Sequence, residues 1–106
     1  MRLEWDGPKN RLNQKKHGIA FSLAARVFAD ECRILEKDRI DEETGEQRWH
    51  AIGRVGSAAI YTVAHVYRGG KDGEEIVRIP ERAAAGVSAR DANQRESRRY
   101  FQQAAH

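Results

Sequence analysis

The stretch from Trp49 to Ile79 constrains this chain most. "WHAIGRV" and "AAIYTVAHVYR" are rich in β-branched and aromatic residues and are parted by glycine, so both read as strands. "GGKDGEE" supplies the flexible residues of a hairpin loop, and "EIVRI" is the return strand, which Pro80 ends. A meander of this kind must be covered by other elements, and the flanking sequence offers helices for that purpose.

"RLEW" reads as a short first strand, and "WDGPK" then places a capping aspartate before a proline suited to a first helical turn. The helix should run over 8–16, with Gly18 as its left-handed terminator. In "FSLAARVFA", Phe21, Ala24, Ala25 and Phe28 share one stripe, which makes a second, core-packed helix. "RILE" is a short strand and "DRIDEETGEQR" a charged connection turning at Thr44-Gly45. Residues 88–103 read as a polar C-terminal helix that Ser88 could cap. Strand, two helices, a meander and a helix make one α+β domain over residues 1–106.

Several function classes fall away. No apolar run approaches the roughly 18 residues of a membrane span, and "MRLEWDGPKN" has no apolar leader segment, so a cytoplasmic protein is expected. Lone Cys32 can form neither an internal disulfide nor a thiolate metal site. There is no metal-ligand spacing, phosphate loop or nucleophile elbow, so the expectation is an enzyme without metal or cofactor, or a binding module.

Charge is unevenly spread. Residues 1–17 carry five bases against two acids and 78–106 six against three, whereas 30–48 carry eight acids against four bases. Fourteen of the nineteen bases are arginine, whose planar fork suits phosphate. Two basic ends around an acidic middle suggest an anionic partner, ordinary surface charge being the plainer alternative.

In the first helix Lys9, Asn13 and Lys16 lie at i, i+4 and i+7, and His17 follows Asn13 by four, so these residues share a face. A solvated helix end would also explain them. Arg78 lies mid-strand beside Ile76 and needs a partner. Arg68 and Arg54 could each be a structural ion pair with the acidic middle segment, or complete a candidate cluster able to hold a phosphodiester. His65 and His50 read as satisfied core or edge histidines. Histidine, lysine and arginine suit RNA cleavage, in which the ribose 2′-OH supplies the nucleophile and the protein supplies proton transfer and cations.

"LEWDGPKNRLNQKKHGIAF" resembles the N-terminal signature of the BrnT toxins through Glu4, Trp5, Asp6, Lys9, Asn13, Lys16, His17, Gly18 and Phe21. The resemblance continues through "VFAD", "GEQRWHAIG", Tyr67-Arg68, "EEIVRI" and "SARDANQRESRRYF". It implies a type II toxin that cleaves RNA, with a RelE-like fold of two N-terminal helices and a C-terminal helix on an antiparallel sheet. It also implies a BrnA-like ribbon-helix-helix antitoxin, through which alone the system would reach operator DNA. Carried over, Lys16, His17, Arg68 and Arg78 are the catalytic candidates. Lys9, Asn13, Arg54, Arg82 and Arg90 are the RNA-binding candidates.

Two departures from the family pattern stand out. "PERAAAGV" intervenes before the S-A-R motif, so the motif's arginine is either Arg82 or Arg90. Ser22 and Leu23 stand where the family tends to carry acids. A catalytically weakened RNA- or antitoxin-binding module is therefore the alternative to an active nuclease. A DNA-binding partner of a repressor ranks last, for want of a helix-turn-helix pattern.

Overall fold

A computed structural model describes residues 2–57, 59–79 and 89–104 of the chain. Strand β1 (Arg2–Trp5) leads into helix α1 (Gly7–His17). The Asp6 side chain accepts the Lys9 N–H at 3.0 Å and so caps the helix start, with Pro8 in the first turn. Gly18 closes the other end at φ 73°, donating its N–H to the Gln14 carbonyl. Helix α2 (Phe21–Ala24) tightens into a 3₁₀ turn over Ala25–Ala29, so the expected second helix is a composite.

The sheet follows: β2 (Ile34–Ile40), β3 (Gln47–Val55), β4 (Ala59–Gly69), β5 (Glu75–Ile79) and β6 (Ala89–Asp91), before helix α3 (Gln94–Ala104). The strand order is β1-β5-β4-β3-β2. All pairs are antiparallel except β1 with β5, which are parallel. The sheet is thus mixed and the purely antiparallel expectation is corrected. Local patterning carries no signal for the direction of a strand that pairs with one some seventy residues later.

Two further boundaries differ from expectation. β2 runs on through Asp38, Arg39 and Ile40, where the charge pattern predicts a connection: Gln47 of β3 donates from Nε2 to the Asp38 carbonyl at 2.7 Å, and His50 Nε2 lies 3.4 Å from Asp38 Oδ2. Ala89–Asp91 form a strand rather than the start of the last helix. Asn93 is the cap of α3: its Oδ1 accepts the Glu96 N–H at 2.8 Å, and Glu96 Oε1 accepts the Asn93 N–H at 2.9 Å. Ser88 and Pro80 lie outside the described residues.

β5 and β6 share one edge of β4. Arg78 pairs with Val66 and Ala89 with Val63, so the two strands follow one another along that edge, these pairs three residues apart on β4. The outer edge of Ala89 is closed by a side chain. Buried Asn13 donates from Nδ2 to the Ala89 and Ile19 carbonyls, both at 3.0 Å, and its Oδ1 accepts the Ala89 N–H at 3.3 Å. The amide stands in for a further strand.

Each sheet face has its own core. Phe21, Ala24, Val27 and Phe28 pack on Ala51, Val63, Val77 and Ile79 on one face, with Trp5 set edge-on to Phe21. On the other, Tyr100 of α3 packs on Ile52 and Ile60. Gly53 allows the first packing: a Cβ there would stand 2.8 Å from Val27 Cγ1.

Candidate functional site

Alternation decides which side chains meet. Directly paired residues share a face, and in this sheet the face carrying Ile52 also carries Arg54, His50, Thr62, Ala64, Val66, Arg68, Arg78 and Glu4. α3 covers that face around Ile52 and Ile60. The arginines concentrate toward the other end.

Arg68 stands opposite Ile76 and Arg78 opposite Val66, which makes the two arginines diagonal neighbours with Cα atoms about 7–8 Å apart. Both interact with carboxylates. Arg78 Nη1 lies 3.4 Å from Glu4 Oε1, with its side chain 19% exposed, and this supplies the partner a mid-strand arginine requires. Arg68 lies 3.2 Å from Glu46 Oε1 and is 47% exposed. The exposed Arg68–Glu46 pair contributes about 0.2–1 kcal/mol, little enough for an incoming anion to displace its carboxylate, whereas the Arg78–Glu4 pair is half-buried. Arg2 extends the network to Glu4 and Glu74.

The remaining candidates are dispersed. Arg54 is on the same face but beside Ile60, eight residues or about 26 Å along β4 from Arg68. Its guanidinium lies 5.8 and 5.4 Å from the Tyr100 and Phe101 ring centres, so it braces α3 rather than joining the cluster. Arg90 is held by both Glu96 carboxylate oxygens, at 2.7 and 3.1 Å. Burial alone would raise Glu96, but Arg90 and the Asn93 N–H more than offset it and keep the carboxyl below its ordinary range. Asn13 is turned inward, with both amide atoms occupied, which removes it from the expected exposed face. Lys16 and His17 are exposed at the C-terminal end of α1, off the sheet, and their side chains bond to no described residue. Half-buried Lys9 makes no ion pair with a described residue. Arg82 lies outside the described residues.

The two strand histidines separate by parity. His65 is fully buried, edge-on to Phe28 and Tyr67, with Nδ1 3.2 Å from the Val63 carbonyl and Nε2 3.2 Å from Tyr67 Oη. Burial lowers its pKa to about 4, so it is a neutral core residue. His50 belongs to the arginine face. Its Nε2 lies 3.4 Å from Asp38 Oδ2, and both side chains are 28% exposed. Sequence reasoning grouped His50 with His65, whereas counting by twos from Arg54 would have placed it with the arginines.

A second cluster ties α3 down. Tyr100 donates its hydroxyl to Asp30 Oδ2 at 2.6 Å, and the Arg54 N–H donates to the same oxygen at 2.7 Å. Burial opposes ionisation of Asp30, but these bonds outweigh it and hold the carboxyl below its usual range, while burial and Asp30 push Tyr100 up to about 12. Its groups are all paired, which is the pattern of an anchor. Among the described residues no three His, Cys, Asp or Glu side chains converge as metal ligands, and no helix is long and apolar enough to cross a membrane.

Comparison with known proteins agrees with this architecture. A family model described as "Ribonuclease toxin, BrnT, of type II toxin-antitoxin system" matches residues 5–96. Among solved structures, the chain is similar to the Brucella abortus ribonuclease toxin BrnT, at 25% identity and a TM-score of 0.57, over 89% of this chain and 99% of that one. No curated protein matches the chain.

Proposed function

The chain belongs to the BrnT ribonuclease toxins of type II toxin–antitoxin systems, and from that premise we propose that it is a metal-independent endoribonuclease whose phosphate-binding surface is the Arg68–Arg78 face. The observation that carries this reading is the diagonal placement of those two arginines on one sheet face, Arg68 beside Glu46 in an exposed pair and Arg78 beside Glu4. Two guanidinium groups so spaced can grip one phosphodiester and neutralise the charge that grows on it. The ribose 2′-OH attacks the adjacent phosphorus, which confines cleavage to RNA; DNA binds without being cut.

Lys16 and His17, with Lys15, form a basic end to α1 that draws the RNA strand toward the sheet. The register favours Arg90 as the S-A-R arginine, because Ala89–Asp91 continue the edge that β5 follows. The fold is read as RelE-like, with the N-terminal helices on one face and α3 on the other. The partner is a BrnA-like antitoxin whose acidic segment replaces Glu4 and Glu46 at the arginines. Operator DNA is reached only through that antitoxin, and the site of action is cytoplasmic RNA.

The test is incubation with mixed-sequence RNA, with and without EDTA, beside Arg68→Ala and Arg78→Ala. Cleavage should survive EDTA and fall in both variants. RNA affinity should lose about 0.7 from the slope of log K against log salt for each phosphate contact removed. Folded protein that binds RNA without cutting it would favour the binding-module reading instead.

A further inference from the structure

The cleavage reading leaves one requirement without a group on the arginine face: something must take the 2′-OH proton. His17 is exposed but stands on α1. His50 stands on the face itself.

Three features set His50 apart. Its Nε2 is turned to Asp38, 3.4 Å away, and Nδ1 bonds to no described residue. A ring whose one nitrogen faces a carboxylate keeps that N–H in place and presents the lone pair of the other. Next, His50 pairs with Ala64 and Arg78 with Val66, so these two apolar residues of β4 lie on the face between them. Strand geometry puts the two Cα atoms roughly 12 Å apart, a gap that the long arginine side chain shortens. Last, two charges beside His50 are committed elsewhere. Glu36, opposite it on β2, is held by Arg99, and Arg48, two residues before it, is held by Asp41.

We propose that His50 is the general base of this ribonuclease and that Asp38 is its positioning residue. The assignment rests on the ribonuclease reading and adds to it the group that moves the proton. As O2′ attacks, its proton passes to Nδ1 of His50, the P–O2′ bond forms and the P–O5′ bond breaks. The leaving O5′ takes a proton from water, and the resulting hydroxide is neutralised by the proton on His50. The products are a 2′,3′-cyclic phosphate and a 5′-hydroxyl, and nothing is oxidised or reduced.

The experiment measures kcat and KM on a short RNA for wild type, His50→Ala, His50→Gln, Asp38→Asn and His17→Ala, with melting curves for each. His50→Ala and His50→Gln should lower kcat about 100-fold with KM within about twofold, and free imidazole should restore part of the His50→Ala rate. Asp38→Asn should lower kcat about tenfold. A wild type that cleaves alongside an equally active His50→Gln overturns the assignment and leaves the ribonuclease reading standing. A loss that imidazole does not rescue, with a lowered melting temperature, makes His50 structural and also overturns it. A folded wild type that cleaves no RNA overturns both.

Discussion

Replacing Asn13 with alanine would separate a structural role from an RNA-binding one. The side chain is 4% exposed and makes three hydrogen bonds, two to Ala89 and one to Ile19. At about 1 kcal/mol for each, the loss comes to about 3 kcal/mol, with the edge of β6 left unpaired. For a domain of this size that lowers Tm by roughly 15 °C. Asn13→Asp tests the geometry more sharply. It keeps the shape but turns an acceptor toward two carbonyls, so it should cost more than alanine does. Urea unfolding measures both, and RNA affinity is then read at a temperature where each variant is folded. The expected pattern is a large loss of stability with RNA affinity within about twofold of wild type. An Asn13→Ala protein as stable as wild type but weakened in RNA binding would refute the reasoning and return Asn13 to the exposed face.

Two further outcomes follow from the core. His65 has its pKa lowered from 6.5 to about 4 in the folded chain, so below pH 6.5 the unfolded chain takes up a proton that the fold refuses. Stability should fall as pH drops through that window, by about 3 kcal/mol at its lower end, and urea titrations of His65→Gln should show a flatter acid limb. Gly53→Ala sets a Cβ 2.8 Å from Val27 Cγ1 and 3.2 Å from the Val27 carbonyl oxygen, which should cost about 1–3 kcal/mol in thermal unfolding, whereas the open site at Gly69 should tolerate alanine far better.

What the sequence made legible was local. The Asp6 cap, Pro8 and Gly18 bound α1 because capping chemistry acts within one turn. The β3–β4–β5 meander follows from alternation and glycine-rich turns, and the need of Arg78 for a partner followed from its apolar neighbours. The illegible part was the long-range register. Glu4 answers Arg78 only because β1 crosses to lie parallel to β5. Asn13 turns inward only because β6 offers it an edge, and a polar helix with one leucine gave no sign of that. His50 joins the arginines through its parity relative to Arg54, a relation available in the strand but masked by its likeness to His65.

The junction of β5 and β6 has a consequence for how this family can diversify. Arg78 and Ala89 meet β4 three residues apart, at Val66 and Val63, so each strand is held by its own pairing with β4 whatever the number of residues that join them. Lengthening such a connection costs only closure entropy, about 0.6 kcal/mol for each doubling. The stretch "PERAAAGV" therefore joins two strands at a point where relatives can gain or shed residues, while Arg78 on β5 and Arg90 on β6 stay paired with β4 at Val66 and Thr62.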